Sequence, residues 1–205
     1  MLTQTSFGYG QFSFAWGDHI CAIFESHAQQ MEVMVPFIAT GLRATQQCVW
    51  VSPPDAAQHF REALGAIGGD LPTLEASGQL VIVSDVDYYL YHGLFEPERT
   101  FALMHSVVEE GRRHGYEATR ATADVSWLGK SGLDPDAWEA YELRATQEIS
   151  GHPVVVVCQY NPRQVGGEMV VKALQTHPIV ILGDAIRQNP FYAAPQEGVA
   201  PRELV

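Results

Sequence analysis

The sequence predicts an α/β fold, with a mainly parallel central sheet and helices on both faces. Short apolar runs recur along the chain, and segments with helical periodicity separate them. The runs are continuously apolar, as in strands buried on both faces of a parallel sheet. Strand and helix alternate, which gives such a sheet its crossover connections. With 205 residues, 46% of them hydrophobic, the chain is expected to form one domain over 1–205 with a sizeable core.

The first half of the chain contains three of the predicted buried strands, at 19–24, 47–52 and 80–84. Before them, apolar and small side chains alternate over 12–16, which predicts an edge strand within an N-terminal extension, 1–17. Apolar residues at helical spacing predict a helix over 28–44, which Pro36 should kink. Prolines suited to a first helical turn predict two more helices, from 53–55 to about 66 and from 97 to about 111.

The second half repeats this alternation. Strands are predicted at 118–124, 154–160 and 178–182, with 185–187 pairing beside the last. Asp134-Pro135 predicts a helix start, because Asp is a favoured N-cap and Pro fits the first helical position; this helix should end near 150. Asn161-Pro162 caps a further helix over about 163–176. The segment 189–192 is predicted to be a turn that docks the C-terminal tail, 189–205, onto the body.

Composition argues against several functional classes. The chain carries 12 basic and 24 acidic residues, a formal charge of −12, and a DNA duplex repels such a surface. No apolar run approaches the roughly 20 residues that span a bilayer, and no signal peptide is visible, so we expect a cytoplasmic protein without membrane contact. The three cysteines lie in apolar runs without CxxC spacing, which indicates buried thiols rather than disulfides.

A ligand pocket is expected where the strands end, because open parallel sheets bind ligands at the carboxyl edge. Polar and aromatic residues follow five of the predicted strands. They are Glu25, Ser26 and His27; Ser52; Asp85, Asp87, Tyr88, Tyr89 and Tyr91; Asp124, Ser126 and Trp127; Gln159, Tyr160 and Asn161. The pocket should therefore combine aromatic faces with carboxylates and histidine.

The segment 25–30, between the first buried strand and its helix, is where many parallel α/β proteins hold a phosphate loop. Such a loop needs glycines, whose backbone N–H groups wrap the phosphates, and a lysine for the β/γ charge. The segment has neither, and the two lysines of the chain lie far from it in sequence. No nucleoside triphosphate is therefore expected. Glu25 and His27 are predicted to face the ligand instead.

His19 and Cys21 point to the same face of their strand, because they are two residues apart. A neutral imidazole and a thiolate are metal ligands, and Cys158 or His177 would have to complete such a site. The alternative is that Cys21 is a core residue and His19 has a backbone partner. His19 also opens its strand, which places it at the amino edge, away from the predicted pocket.

Asp124 and Glu142 form a second candidate pair, for acid–base chemistry. The alternatives are that Asp124 caps the turn into Ser126-Trp127 and that Glu142 pairs with Arg144 or Arg120 or faces solvent. Arg120 lies within a strand, so its charge requires a carboxylate or a ligand. Asp124 is about 13 Å away along an extended strand, which leaves Glu142 as the expected partner.

Nine segments in order resemble the MEDS domain, the methanogen/methylotroph, dichloromethane-repressor sensory domain. They are GDHICAIFES (17–26), PFIATGL (36–42), CVWVS (48–52), YLYHGLF (89–95), GYEATRATADVSW (115–127), YE (141–142), CQY (158–160), HP (177–178) and NPFY (189–192). The resemblance implies a RecA/KaiC-like fold with a degenerate phosphate loop. It also implies a sensor of simple hydrocarbon derivatives in bacterial or archaeal signalling, not an enzyme, with His19 and Cys21 in ligand recognition.

These inferences together give one set of expected ligand-binding residues. They are His19, Cys21, Glu25, His27, Arg120, Asp124, Trp127, Tyr141, Glu142 and Tyr160. No helix-turn-helix or kinase segment is visible, so the signal is expected to pass to a separate kinase or transcription regulator. A metal, a haem and a homo-oligomer are all compatible with the sequence. Two alternatives remain: a ligand-free interaction module with a filled crevice, and a hydrolytic enzyme that uses Asp124 and Glu142.

Overall fold

The computed structural model describes residues 5–193. Two short strands, β1 (Thr5–Ser6) and β2 (Ser13–Phe14), pair with each other near the N-terminus. A second small hairpin consists of β6 (Leu90–Tyr91) and β7 (Leu94–Phe95). The remaining strands form the central sheet: β3 (His19–Ile23), β4 (Gln47–Ser52), β5 (Leu80–Ser84), β8 (Thr119–Asp124), β9 (Val154–Tyr160), β10 (Ile179–Leu182) and β11 (Ala185–Gln188).

Helices connect these strands. In chain order they are α1 (His27–Arg43), α2 (Pro54–Ala66), α3 (Leu71–Ala76), α4 (Asp85–Tyr89), α5 (Pro97–Arg113), α6 (Leu128–Ser131), α7 (Pro135–Ile149), α8 (Pro162–Val165) and α9 (Gly167–Thr176). Within residues 5–193, none of them is both long and apolar enough to cross a bilayer.

The central sheet confirms the expected fold class. Its order is β11-β10-β3-β9-β8-β4-β5, and every pair is parallel except β10–β11. Alternate residues of β3 enter different cores: Ile20 and Ala22 pack with α1 and α2, while Cys21 packs with α4, α5, α7 and α9. Helices therefore cover both faces, as the continuous apolar runs predict.

Several boundaries differ from the expected ones. The edge strand expected over 12–16 is shorter: only Ser13–Phe14 is a strand, and it pairs with β1 outside the central sheet. The single helix expected over 163–176 is two helices, separated at Gly166, whose φ of +84° interrupts the helical backbone. Helix α1 starts at His27, so most of the segment 25–30 is helical rather than loop.

The C-terminal turn lies against the body, as expected. Asn189 is buried, and its Nδ2 donates hydrogen bonds to the carbonyls of Leu174 (2.6 Å) and His177 (2.7 Å). Ala193 N donates to the carbonyl of Gln175 at 2.9 Å. The rest of the predicted tail, 194–205, and the first four residues of the N-terminal extension lie outside the described residues.

Candidate functional site

A crevice of about 990 Å³ lies at the carboxyl edge of the central sheet. It is where the rule for open parallel sheets places a ligand site. Residues at or just after the ends of β3, β4, β5, β8 and β9 line it, among them His27, Pro53, Asp85, Asp124 and Tyr160. The sheet order brings these five strand ends together, although they are far apart in sequence.

The floor of the crevice is a hydrogen-bonded group centred on Gln30. Its Nε2 donates to Oδ2 of Asp124 (3.1 Å) and to Oε1 of Gln159 (2.7 Å). The other carboxylate oxygen of Asp124 accepts from the backbone N of Ser126 (2.9 Å) and from the Ser126 hydroxyl. In phosphate-loop enzymes an Asp in such a position helps to hold Mg²⁺. Here the Gln30 amide and Ser126 donate hydrogen bonds to the two oxygens of the Asp124 carboxylate.

The entrance of the crevice carries histidines from two helices. The rings of His27 (α1) and His59 (α2) lie 4.8 Å apart between centroids. Nδ1 of His27 lies 2.9 Å from Oε1 of Gln30, and because that amide oxygen only accepts, Nδ1 carries the proton. Lys130 and Arg163 line the crevice as well. Imidazole rings and two cationic side chains therefore line a space large enough for a small organic molecule.

The walls of the crevice are aromatic in part. Phe24, Trp127 and Tyr160 line it, and Trp127 also stacks on Tyr89 with ring centroids 5.2 Å apart. Asp85, whose side chain is 4% exposed, lies on the β5 side. Burial raises its pKa, and the Asp124 charge raises the pKa further. The site thus combines apolar faces with a few polar groups, the usual composition of small-molecule pockets.

A second group of chemically active side chains is buried under the sheet. His19, Glu142, Cys158 and His177 place one ligand atom each within 4.8 Å of one another, and all four residues are buried. Nε2 of His19 lies 3.3 Å from Cys158 Sγ and 3.3 Å from Glu142 Oε2. Nε2 of His177 lies 3.6 Å from the same carboxylate oxygen. We refer to these four residues as the buried cluster.

The second nitrogen of each histidine determines the tautomer. Nδ1 of His177 lies 2.8 Å from the carbonyl oxygen of Ala173, which only accepts, so Nδ1 carries the proton. Nδ1 of His19 lies 2.9 Å from the hydroxyl of Thr146, whose own proton points to the Glu142 or Thr176 carbonyl. Both Nε2 atoms therefore direct a lone pair towards Glu142 Oε2.

Burial controls the charges in the buried cluster. It lowers the pKa of His19 well below its ordinary value and the pKa of His177 to about 4. It also raises the pKa of Glu142 to about 7 and that of the Cys158 thiol well above its ordinary value. Both histidines are consequently neutral at pH 7, and their contacts with Glu142 are not ion pairs.

A cavity of about 40 Å³ adjoins the buried cluster. His19, Glu142 and Cys158 line it, together with the aromatic side chains of Tyr88, Tyr89 and Tyr141. Tyr141 is stacked between Phe101 and Trp138, at centroid distances of 4.8 and 4.9 Å. The predicted residue Tyr141 therefore lies beside the buried cluster and not among the residues that line the crevice.

The ten predicted ligand-binding residues thus divide into four groups. His27, Asp124, Trp127 and Tyr160 line the crevice. His19, Tyr141 and Glu142 line the small cavity beside the buried cluster. Cys21 is buried in the core next to it, directly opposite Cys158 in the β3–β9 pairing. The other two, Glu25 and Arg120, line neither space; Glu25 is exposed.

Arg120 corrects one prediction. It does not pair with Glu142, because its side chain points to the opposite face of the sheet. There its guanidinium donates to Gln46 Oε1 (2.6 Å) and to the carbonyls of Ser6 (3.0 Å), Phe7 (3.2 Å) and Phe37 (3.2 Å). Arg144 does not pair with Glu142 either; it contacts Glu98 and Glu148. Arg120 therefore joins the N-terminal segment to the sheet.

A model of the MEDS family, the methanogen/methylotroph, DcmR sensory domain, matches residues 18–178. The chain belongs to the MEDS family. It is 26% identical over 170 residues to the transcriptional repressor DcmR of Methylorubrum extorquens (strain DSM 6343 / CIP 106787 / DM4), a match that covers 80% of this chain and 59% of the repressor. The resemblance expected from the sequence is confirmed.

The fold of this MEDS chain has a counterpart among solved structures. The crystal structure of a KaiC-like protein from Pyrococcus horikoshii OT3 superposes with a TM-score of 0.58 at 11% identity, covering 88% of this chain and 80% of the other. This likeness confirms the KaiC-like fold. The expected sensory character follows from the family.

Several residues that line the crevice were not predicted. Gln30, His59, Lys130 and Arg163 all line the crevice. Gln30 lies in the segment that replaces the phosphate loop, so its position in the sequence could have indicated that its side chain lines the crevice. His59, Lys130 and Arg163 lie on helices, where sequence alone does not show which face meets the crevice.

Proposed function

We propose that this MEDS chain is a sensory module that binds a small organic molecule in the carboxyl-edge crevice and passes the signal to a kinase or transcription regulator. One observation carries the proposal: a preformed crevice of about 990 Å³ in which Gln30 engages the Asp124 carboxylate. The crevice lies where related folds bind a nucleotide, but its polar side chains Gln30, Asp124 and Gln159 are hydrogen-bonded to one another.

The lining of the crevice supports a ligand with an apolar body and one polar end. Phe24, Trp127 and Tyr160 offer apolar faces, whereas His27 and His59 offer ring nitrogens at the entrance. Simple hydrocarbon derivatives such as short alcohols, amines, carboxylates and halides have this composition. They are the ligand class that we propose.

Two other functions receive less support. A ligand-free interaction module predicts a filled crevice, which is not what the described residues form. A hydrolytic enzyme that uses Asp124 and Glu142 requires both groups at one point. Asp124 lines the crevice and is bound by Gln30, while Glu142 belongs to the buried cluster. We therefore propose a non-enzymatic role.

The β6–β7 hairpin offers a route from ligand to surface. Leu90 and Gly93 of the hairpin line the crevice, as does Val86 in the preceding helix α4. Tyr91 and Leu94 of the same hairpin are 46% and 68% exposed. A ligand that contacts the hairpin from inside would change its mobility at the surface. We propose that the signalling partner senses this change.

The proposal is tested by thermal-shift and calorimetric titration with a panel of short alcohols, amines, carboxylates and halides. A ligand at 100 times its Kd stabilises the native state by about 2.7 kcal/mol. For a chain of this size that raises Tm by roughly 5–10 °C. Hydrogen exchange in 90–95 should slow in the same complex.

Two variants make the experiment site-specific. His27→Ala should weaken binding of the active compound, whereas His152→Ala, an exposed histidine that does not line the crevice, should leave it unchanged. A panel in which no compound raises Tm would count against a ligand site. Equal effects of the two variants would place the ligand elsewhere.

A further inference from the structure

We propose that the buried cluster is a binding site for one divalent transition-metal ion, of the Zn²⁺ class, held by His19 Nε2, His177 Nε2, Glu142 Oε2 and Cys158 Sγ. This site lies under the sheet and differs from the crevice. His19 and Cys158 come from neighbouring strands, Glu142 from α7, and His177 directly follows α9. The inference is independent of which ligand the crevice binds.

The distances between the donor atoms fit tetrahedral coordination. Zn–N, Zn–O and Zn–S bonds of about 2.0–2.3 Å place the ligand atoms of a tetrahedron roughly 3.3–3.8 Å apart. Four of the separations in the cluster are 3.3 Å (His19–Cys158), 3.3 Å (His19–Glu142), 3.6 Å (His177–Glu142) and 3.9 Å (Cys158–Glu142). All four atoms lie within 4.8 Å of one another, so one ion can contact them after small side-chain shifts.

The positions of the protons in the buried cluster support the binding of a cation. Both imidazoles carry their proton on Nδ1, so two lone pairs and a carboxylate oxygen face one another. The Cys158 thiol, 3.3 Å from His19 Nε2, can donate to one of these lone pairs. Nε2 of His177 is fully buried and has no hydrogen-bond partner among residues 5–193. Orphaned buried acceptors are rare, and each one is costly unless a water, a proton or an ion satisfies it.

The surroundings hold three of the four ligands in position. Thr146 accepts from His19 Nδ1, the Ala173 carbonyl accepts from His177 Nδ1, and Tyr160 donates to Oε1 of Glu142 at 2.6 Å. Metal-binding histidines and carboxylates typically have outer partners of this kind, which orient the ring and leave the coordinating atom free.

Charge balance favours a divalent ion. When the metal binds, the Cys158 thiol loses its proton to solvent, and Glu142 coordinates as a carboxylate. The two negative charges then neutralise M²⁺, which leaves a buried site without net charge. Two imidazoles, one thiolate and one carboxylate form a borderline-soft donor set, which suits Zn²⁺, Co²⁺ and Ni²⁺ better than Mg²⁺ or Ca²⁺. A cavity of about 40 Å³ lies beside three of the four ligands.

The experiment uses the full chain, stripped of metal by a chelator and then titrated with Zn²⁺ and Co²⁺ alone. We expect one ion per chain by elemental analysis and a rise in Tm on Zn²⁺ addition. The Co²⁺ form should show a thiolate-to-metal charge-transfer band and the visible spectrum of tetrahedral coordination. Failure of the wild-type chain to bind either ion stoichiometrically would overturn the proposal, whatever the variants do.

Matched variants assign the ligands. Cys158→Ala should abolish the charge-transfer band and weaken binding by more than about 100-fold, the upper range for loss of an outer partner alone. Cys21→Ala removes an equally buried thiol from the adjacent strand, outside the cluster, and should retain the band. Equal loss in both variants would overturn the assignment of Cys158.

Two further variants serve if Cys158→Ala does not fold. His177→Gln should weaken binding of both ions while the charge-transfer band persists in whatever Co²⁺ form remains, because the thiolate is still present. Thr146→Val removes only the partner of His19 and should weaken binding by about 10–100-fold. Wild-type affinity in both variants would contradict the proposed site.

Discussion

The hydroxyl of Tyr160 donates a 2.6 Å hydrogen bond to Oε1 of Glu142. Tyr160 lines the crevice, while Glu142 belongs to the buried cluster, so one hydrogen bond joins the two sites. Trp138 Nε1 extends this hydrogen-bond network by donating to the Tyr160 hydroxyl oxygen at 3.0 Å. Any ligand that displaces the Tyr160 side chain must therefore disturb Glu142.

Removal of this link should destabilise the protein. Tyr160→Phe leaves Glu142 Oε1 and Trp138 Nε1 buried without a partner, and each such loss costs about 1–3 kcal/mol. Urea denaturation should report a free energy of unfolding lower by roughly 2–4 kcal/mol. Tyr116→Phe is the control, because the Tyr116 hydroxyl bonds the Ser77 carbonyl at an exposed position. A variant at 160 as stable as that control would show that the hydrogen bond contributes nothing.

Arg120 should matter for stability and not for ligand binding. Arg120→Met removes the donor from three main-chain carbonyls and Gln46, and we expect a loss of at least about 3 kcal/mol. Arg61→Met is the control: Arg61 pairs with Glu75 at the surface, and its loss should change stability by no more than about 1 kcal/mol. The urea midpoint of each variant is the measurement, and similar midpoints would contradict this role.

Two glycines should respond oppositely to alanine. In α1, a Cβ on Gly41 would lie 2.7 Å from Arg120 Cδ and 2.7 Å from Cys48 Sγ, so Gly41→Ala should lower Tm. In α2, a Cβ on Gly65 has its nearest neighbour at 3.9 Å, so Gly65→Ala should gain the helix preference of Ala, about 0.5–1 kcal/mol. Calorimetric scans compare the two variants. An increase in Tm for both variants would show that the Arg120 side chain moves away from the added methyl group without cost.

Asp85 should make stability depend on pH. Its pKa is raised by burial and by the Asp124 charge, so the folded state holds the proton more tightly than the unfolded chain. The stabilisation that this tighter proton binding gives the folded state is fully present below the pKa of Asp85 in the unfolded chain. It is lost as pH rises through the pKa in the folded state, so at pH 7 the buried charge opposes folding. Asp85→Asn should raise Tm at pH 7 by about 2–4 °C, the shift that about 1 kcal/mol produces, and by less near pH 4.

Asp87 provides the control for this pH dependence. It lies in the same short helix but is exposed, so Asp87→Asn should not raise Tm at pH 7. Melting curves of both variants between pH 4 and pH 8 are the measurement. A gain for Asp85→Asn that is independent of pH would mean that the carboxylate charge is not its cause.

Much of the fold could be predicted from local pattern. The strands over 47–52, 80–84 and 154–160 occur with the expected bounds, because a continuous apolar run is a signal that needs no partner to be visible. Proline and Asp–Pro signals likewise give the start of α2, α5 and α7. The short elements α3, α4 and α6 were not predicted, because they contain too few residues to display a period.

The sequence by itself determined the α/β class, the family and the edge of the sheet where a crevice forms, since these depend on residue patterns within single segments. Only the tertiary structure decided which side chains meet. His19 and Cys158 are 139 positions apart and become neighbours because β3 pairs with β9, an order that no local pattern encodes. Tertiary structure also separates Arg120 from Glu142. Alternate residues of a strand face opposite sides of the sheet, and the packing of the helices determines which residues lie on each side.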